Sequence, residues 1–170
     1  MKKSLFMLVI LILAVHTSVF AGGITCWLNL GPGLGTVDEG STFLGSLSFQ
    51  TGKHVFTLRA LSTGAAMLDE GKTMTDYSLL YNHCFVDKKI HISAGAGLAY
   101  VTGEIDHDGL SLFGGSDDEE LGPFIGLPLD VQVFWRPLSF VGLGVYGFAC
   151  VNSEEFYTGL AFCLQLGKLR

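Results

Sequence analysis

The sequence predicts an all-β fold, an eight-stranded antiparallel up-and-down transmembrane β-barrel. Three observations support this prediction. The chain divides into eight strand-length segments of alternating side chains, the connections between them alternate between short and long, and the strand bodies carry almost no charge. Alternation indicates strands because successive side chains leave opposite faces of a sheet. Short turns at one end and longer loops at the other are typical of membrane barrels.

The first 21 residues are predicted to be a cleaved secretory signal peptide, which leaves 22–170 as one barrel domain. Lys2 and Lys3 precede an uncharged apolar run from 5 to 15, and Val19-Phe20-Ala21 supplies the small residues of a cleavage site. A retained membrane anchor is the alternative reading of this segment.

Composition restricts the partners and the environment of the chain. Only 15% of the residues are charged, against ~25% in typical soluble domains. The formal net charge of −6 becomes −8 when Lys2 and Lys3 leave with the signal peptide, which argues against nucleic acid as a partner. Mean hydropathy is +0.46. After residue 21, however, no apolar run approaches the ~20 residues of a spanning helix, so the hydrophobicity must reside in strands.

The first four strands are predicted at 24–35, 42–51, 54–63 and 77–86. The second reads TFLGSLSFQT and the third HVFTLRALST, and in both a bulky apolar set alternates with a small or polar one. The fourth, YSLLYNHCFV, is the least regular because two leucines are adjacent. Most of the eight segments run longer than the ~5–6 residues of an ordinary globular strand and suit a tilted crossing of a bilayer.

The last four strands are predicted at 90–102, 123–135, 140–151 and 157–168. The sixth gives the clearest alternation, and its bulky face is predicted to meet lipid. That face consists of Ile125, Leu127, Leu129, Val131, Val133 and Trp135. Pro128 removes a backbone donor in mid-strand, so we expect a bulge there. Aromatic residues near strand ends are expected in interfacial girdles; these are Trp27, Trp135, Phe140, Phe156 and Tyr157.

Charge follows the alternation of the connections. The predicted long loops, at 36–41, 64–76, 103–122 and 152–156, hold every acidic residue except Asp87 and Asp130, with Lys72 as their one basic residue. The three tight turns instead carry Lys53, Lys88, Lys89 and Arg136. This division predicts that the acidic loops face outward and the basic turns face the periplasm.

Three segments, ISAGAGLAYVTG, GLPLDVQVFWRP and YTGLAFCLQLGKLR, make the chain resemble a known family. It is similar to the small outer-membrane β-barrels of Gram-negative bacteria, of the outer-membrane-protein A and X type, and especially to their short Bacteroides-type members. The resemblance implies a cell-envelope protein of the outer membrane, in contact with its lipids and lipopolysaccharide and inserted by the outer-membrane assembly machinery. The chain departs from many such barrels by ending in Leu169-Arg170 instead of an aromatic residue.

The loop at 103–122 carries the densest group of potential ligands. It contains Asp106, His107, Asp108, Asp117, Asp118, Glu119 and Glu120. Such oxygen-rich groups suit a divalent cation or a weak partner contact. Their spacing is not that of a regular calcium loop, so a solvated acidic loop is the favoured interpretation. No metal site and no cofactor are predicted.

Catalysis is not predicted, because no nucleophile elbow, P-loop, dinucleotide fingerprint or C-x-x-C pair occurs. A barrel enzyme that modifies lipid A remains an alternative. It would need serine, histidine and an acid together at the loop end. Ser153, Glu154 and Glu155 are there, and the one histidine on that side is His107. The four cysteines fall within strands and are interpreted as small apolar fillers.

Arg59 and Asp130 are the charges that alternation places inside the strand bodies and on the inward face. An unpaired charge in a narrow lumen is costly, so we predict that these two form a structural ion pair. Eight strands leave an interior just wide enough for side chains, which argues against a porin. The predicted role is therefore structural, or a surface interaction of the acidic extracellular loops with an unknown partner. The alternative from another class is a soluble periplasmic lipocalin-like barrel that binds an apolar ligand.

Overall fold

The computed structural model describes residues 24–64, 71–87, 89–106 and 119–169, and the predicted signal peptide lies outside these ranges. The described chain forms eight strands: β1 (Thr25–Gly35), β2 (Ser41–Thr51), β3 (His54–Gly64), β4 (Gly71–Asp87), β5 (Ile90–Asp106), β6 (Glu119–Trp135), β7 (Val141–Val151) and β8 (Phe156–Lys168). Each strand pairs antiparallel with the next, and β8 pairs with β1 to close the barrel. The predicted eight-stranded up-and-down barrel is confirmed.

The three central strands are longer than the sequence predicts. β4, β5 and β6 each contain 17 residues and project beyond the other strands at the loop end. Segment 71–76, expected in a loop, is therefore the start of β4, and Asp76 lies inside the strand. The reason is visible in the sequence: Met74, Asp76 and Ser78 continue the inward set, while Thr75 and Tyr77 continue the outward set.

The two faces of the closed sheet differ as the alternation predicts. Large apolar side chains from all eight strands are exposed on the outside, for example Phe43 at 61% and Phe162 at 73%. Inside, the buried side chains include Thr57, Ser48 and Gln132 together with aromatic rings. A water-soluble barrel has the reverse distribution, with its apolar side chains inside and its polar ones in water.

The expected bulge at Pro128 is wrong. The register of β6 against β5 is the same on both sides of the proline, with Leu129 opposite Ala96 and Gly126 opposite Ala99. The register shift occurs instead between Val101 and Gly103, near the loop end. Pro128 keeps its place opposite Cys150 on β7, and no β5 partner is assigned to it. The pairing of β6 with β5 is interrupted at Pro128, which has no amide hydrogen to donate, and no extra residue is inserted.

Both ends of the lumen are covered by residues that follow a strand. At the loop end, a 3-10 turn (Val37–Glu39) buries Val37 completely in the main core cluster. At the turn end, Leu169 folds back beneath the barrel, where its amide donates to the carbonyl of Ser139 and its side chain is 2% exposed. Over the described residues, no helix is long and apolar enough to span a bilayer.

Two of the expected girdle aromatics are inside the barrel instead. Trp27 and Tyr157 are buried, whereas Trp135, Phe140 and Phe156 are exposed. The direction of an aromatic side chain is therefore predicted better by the alternation along its strand than by its closeness to the strand end. Trp27 shares the parity of the inward residue Asn29, and this parity places the indole in the lumen.

Candidate functional site

The lumen contains an ion pair between neighbouring strands. Arg59 on β3 donates through its NH2 group to Oδ2 of Asp76 on β4 at 2.7 Å and through Nε to Oδ1 at 3.3 Å. Both side chains are fully buried. Ser78 donates to Asp76 at 2.7 Å and Tyr157 donates to the same carboxylate at 3.0 Å. The Asp76 carboxylate therefore accepts hydrogen bonds from three side chains, which offsets the cost of burying its charge.

The predicted pairing of Arg59 with Asp130 is wrong. Both side chains point inward and are buried, as alternation predicts, but Asp130 has neutral partners. Asn82 donates to it at 2.6 Å, Gln132 at 3.1 Å, and Tyr146 by a short bond. The physical reason is that the strand next to β3 supplies a carboxylate within direct reach of Arg59, while Asp130 is occupied by its three neutral partners. Asp76 is on the strand adjacent to β3, whereas Asp130 is three strands away.

A glycine makes the contact between Asn82 and Asp130 feasible. Gly95 lies between these two residues in the register, opposite Asn82 on one side and Asp130 on the other. A Cβ atom at this position would overlap the Asn82 side chain. The absence of a side chain on β5 therefore lets the amide cross a whole strand to reach the carboxylate.

A second network closes the turn end of the lumen. Arg136 donates through Nε to Oε1 of Gln165 at 2.7 Å and through NH1 to the carbonyl of Leu169 at 3.3 Å. Its guanidinium carbon lies 4.6 Å from the centre of the Trp27 ring, a cation–π distance. Gln165 in turn donates to Asn29 at 3.0 Å. Arg136, predicted in a basic turn, directly follows β6, and its side chain is buried at the turn end of the lumen.

The polar residues that sequence reasoning missed share one signal. Asp76, Ser78 and Asn82 alternate along β4 with the exposed residues Tyr77 and Tyr81. The adjacent leucines at 79 and 80 obscure this alternation in a hydropathy pattern. A test that scored polar residues at every second position, with aromatic residues between them, would have placed Asp76 inside the barrel.

All six residues of the predicted lipid-facing set point outward. Their exposures range from 46% for Val133 to 71% for Ile125. Along the same strand, Asp130, Gln132 and Phe134 are buried. The geometry that the prediction requires is therefore present on β6, and contact with lipid is taken up below as part of the proposed function.

The acidic loop is described only at its edges. Asp106 ends β5 and Glu119 begins β6, while His107, Asp108, Asp117 and Asp118 lie outside the described residues. Glu120 is exposed and lies opposite Glu104 on β5, so two like charges face each other at the rim. Where the structure describes the chain, no group of three or more histidine, cysteine, aspartate or glutamate side chains could hold a metal.

Lys72 forms ion pairs with two glutamates at the described loop end. Its ammonium lies 2.9 Å from a carboxylate oxygen of Glu155 and 3.5 Å from one of Glu154, which joins the start of β4 to the connection before β8. The Lys72 amide also donates to the Asp38 carboxylate. Partial burial lowers the pKa of the Lys72 side chain, but the two glutamates outweigh it, and the net pKa is raised.

The four cysteines are all free and buried. Three of them, Cys84, Cys150 and Cys163, fall on the inward parity of their strands and belong to the two core clusters. They pack as small side chains in these clusters, as the sequence interpretation expects, and the Cys84 thiol also donates to the carbonyl of Gly52 at 3.8 Å.

Comparison with solved structures identifies the architecture. Neisserial surface protein A aligns over 86% of this chain and 97% of its own, with a TM-score of 0.63 and 12% identity. The chain has the fold of the small outer-membrane β-barrels. The N-terminal barrel domain of Pseudomonas aeruginosa OprF aligns over 84% of this chain and 96% of its own, with a TM-score of 0.60 and 10% identity.

A third similar structure is Ail, the attachment invasion locus protein of Yersinia pestis. It aligns over 85% of this chain and 96% of its own, with a TM-score of 0.54 and 10% identity. The resemblance predicted from the sequence is confirmed at the level of the fold. No protein-family model and no curated protein matches the sequence.

Proposed function

We propose that the protein is a barrel of the bacterial outer membrane that acts through its surface and not through a pore or a catalytic site. The observation that carries this proposal is the belt of exposed large apolar side chains that all eight strands contribute to the outer face. In water such a continuous apolar surface would drive aggregation, whereas a bilayer buries it. The closed sheet leaves no unpaired edge, which a membrane requires.

The lumen is proposed to be closed to solutes. Tyr146, Tyr157, Phe134 and Trp27 project into it, and each is 1% exposed or less. The buried Arg59–Asp76 pair lies inside it, and Leu169 covers its turn end. These side chains fill the narrow interior of the eight-stranded barrel, so a general porin role and the binding of a large apolar ligand inside are both disfavoured.

The proposed interaction surface is the acidic loop end. Glu104, Glu120 and the Lys72–Glu154–Glu155 group surround the described part of it. Ail has been crystallised with sucrose octasulfate, a heparin analogue and a polyanion. The described loop end of this chain is itself acidic, so its unknown extracellular partner should present positive charge and not sulfate groups, because complementary potentials steer association.

The residues described at the same end support a non-catalytic role. Ser153 lies beside Glu154 and Glu155, but the described histidines are at the turn end or in the turn half of the barrel. A serine nucleophile needs a base within hydrogen-bond reach. The lipid A-modifying alternative would therefore depend on His107, outside the described residues.

Membrane location is tested by fractionation and gel mobility. The mature protein should be found with outer-membrane detergent extracts together with lipids and lipopolysaccharide, after insertion by the outer-membrane assembly machinery. It should also migrate differently before and after boiling, because a folded barrel resists detergent until heated. Recovery in the soluble periplasmic fraction would favour the lipocalin-like alternative instead.

Orientation and partner binding are tested on whole cells. An epitope inserted at Gly114-Gly115 should be accessible to antibody on intact cells, and an epitope at Gly52 only after lysis. The reverse result would contradict the orientation. A pull-down with cells that display the intact loop should then be compared with cells lacking 107–118, and the partner captured only by the intact loop should be released by salt.

A further inference from the structure

Two histidines form a pair on the outer face of the barrel, at its turn end. His54 is the first residue of β3, directly after the tight turn at Gly52-Lys53, and it lies opposite His83 of β4 in the register. Both side chains are exposed, and their ring centres are 6.1 Å apart, edge to face at 82°. Neither the lumen networks nor the acidic loop end uses these two side chains.

The hydrogen-bond pattern places the pair where side chains approach most closely. The Cys84 amide donates to the carbonyl of Lys53 at 2.9 Å, so Lys53 and Cys84 form a hydrogen-bonded pair. The next pair along an antiparallel ladder is then non-hydrogen-bonded, and this is His54 with His83. Side chains at such a pair have Cβ atoms only about 4.5–5.5 Å apart, which suits two imidazoles sharing one ligand.

The ring separation is within the range of a shared metal ion. A zinc–imidazole bond is about 2.1 Å long, so each ring centre lies about 3.2 Å from the metal and two ring centres lie at most about 6.4 Å apart. The observed 6.1 Å falls inside this limit. Binding therefore requires that the two side chains rotate so that a nitrogen of each ring faces the ion, which brings the ring centres to the closer spacing of a bent N–metal–N angle.

Tyr81 supplies the hydrogen bond that usually orients the second ring nitrogen of a metal-binding histidine. Its hydroxyl lies 2.6 Å from Nδ1 of His54. With Nε2 on a metal, Nδ1 carries the proton and donates to this hydroxyl, which fixes both the tautomer and the ring orientation. His83 makes ring contacts with His54 and Phe85 and no hydrogen bond to any residue that the structure describes, so its nitrogens remain available.

We propose that His54 and His83 bind a divalent late transition-metal ion, such as Cu²⁺, Ni²⁺ or Zn²⁺, at the turn end of the barrel, with water completing the coordination. Imidazole nitrogen suits these metals, and Cu²⁺ should bind most tightly in the general order of divalent metal affinities. The site lies where β3 leaves the turn and enters the apolar belt, so water and ions can reach it. The proposal is independent of the function proposed for the acidic loops.

The test uses untagged mature protein folded in detergent and titrated with Cu²⁺. Calorimetry should show one ion bound per chain, and electron paramagnetic resonance should show coordination by two nitrogens. His54→Gln and His83→Gln should each weaken binding at least tenfold. Tyr81→Phe should weaken metal binding less, because this change removes only the hydrogen bond to Nδ1 of His54. Tyr77→Phe, on the same face of the same strand, is the matched control and should leave the affinity unchanged.

A second readout separates specific binding from folding defects. Cu²⁺ should raise the thermal unfolding midpoint of the wild-type barrel and not that of the His54→Gln variant, because a ligand stabilises only the state that binds it. All variants should keep the heat-dependent gel mobility of the folded barrel. The proposal is overturned if the wild type binds no Cu²⁺ above a detergent blank, or if either histidine variant binds it as tightly as the wild type does.

Discussion

Replacing Arg59 by methionine should destabilise the barrel more than replacing Arg59 and Asp76 together. Each single change leaves one charge buried without its ionic partner, whereas the double change removes both charges. Breaking a buried ion pair typically costs about 3–5 kcal/mol, while an apolar replacement of the whole pair is often close to neutral. The free energy of unfolding should therefore recover in the double variant.

The contacts predict which single change costs more. After Arg59→Met, the Asp76 carboxylate still accepts from Ser78 at 2.7 Å and Tyr157 at 3.0 Å, so the cost should lie near the lower end, about 3 kcal/mol. After Asp76→Leu, the Arg59 guanidinium retains the hydroxyl of Ser78 at 3.1 Å and loses its carboxylate, so the cost should lie near the upper end, about 5 kcal/mol.

The measurement is reversible urea unfolding in detergent micelles or thin bilayers, monitored by tryptophan fluorescence and circular dichroism. The double-mutant cycle of Arg59 with Asp76 should give a coupling free energy of at least about 2 kcal/mol. The control cycle pairs Arg59→Met with Asp130→Leu and should give a smaller coupling free energy, because Asp130 is hydrogen-bonded to Asn82, Gln132 and Tyr146 and not to Arg59. Additive losses in the first cycle, or an equal coupling in the second, would refute the assignment of Asp76 as the partner.

Three further predictions concern the faces, the close packing and the loop end. Val131→Arg should cost about 2–4 kcal/mol because it places a charge in the bilayer, and Gln132→Ala should cost much less; equal tolerance would argue against a lipid-facing Val131. Gly97→Ala should impair folding because a Cβ there would overlap a backbone carbonyl of β4, whereas Gly45→Ala, with its nearest neighbour 3.5 Å away, should fold normally on a heat-mobility gel. Lys72→Met should lower the free energy of unfolding by less than about 1 kcal/mol, and the difference from the wild type should shrink at high salt. The raised pKa of Lys72 means that its stabilisation is complete below the unfolded-state value of about 10.4 and is lost as the pH rises through the folded-state value, which unfolding measured from pH 8 to 12 would reveal.

Much of the lumen could be assigned from alternation, but its pairings could not. Arg59 and Asp130 were both placed inward correctly because side-chain direction in a strand depends only on parity. Which carboxylate meets the guanidinium depends on strand adjacency, register and the space left by glycines such as Gly95. These are properties of the closed sheet. The two residues face the same lumen, but Asp76 is one strand from Arg59 and Asp130 is three.

The alternating pattern, the spacing of the turns and the segregation of charge determined the barrel, its eight strands and the outward direction of residues such as Val131, because each of these follows from local sequence. The closure of the barrel ends and the contacts between side chains depend on the tertiary structure. Trp27, Arg136 and Leu169 meet at the turn end only because β1, β6 and β8 converge there around a closed sheet. Likewise, His54 and His83 become a pair only through the register of β3 on β4, since a shift of one residue would send one imidazole into the lumen.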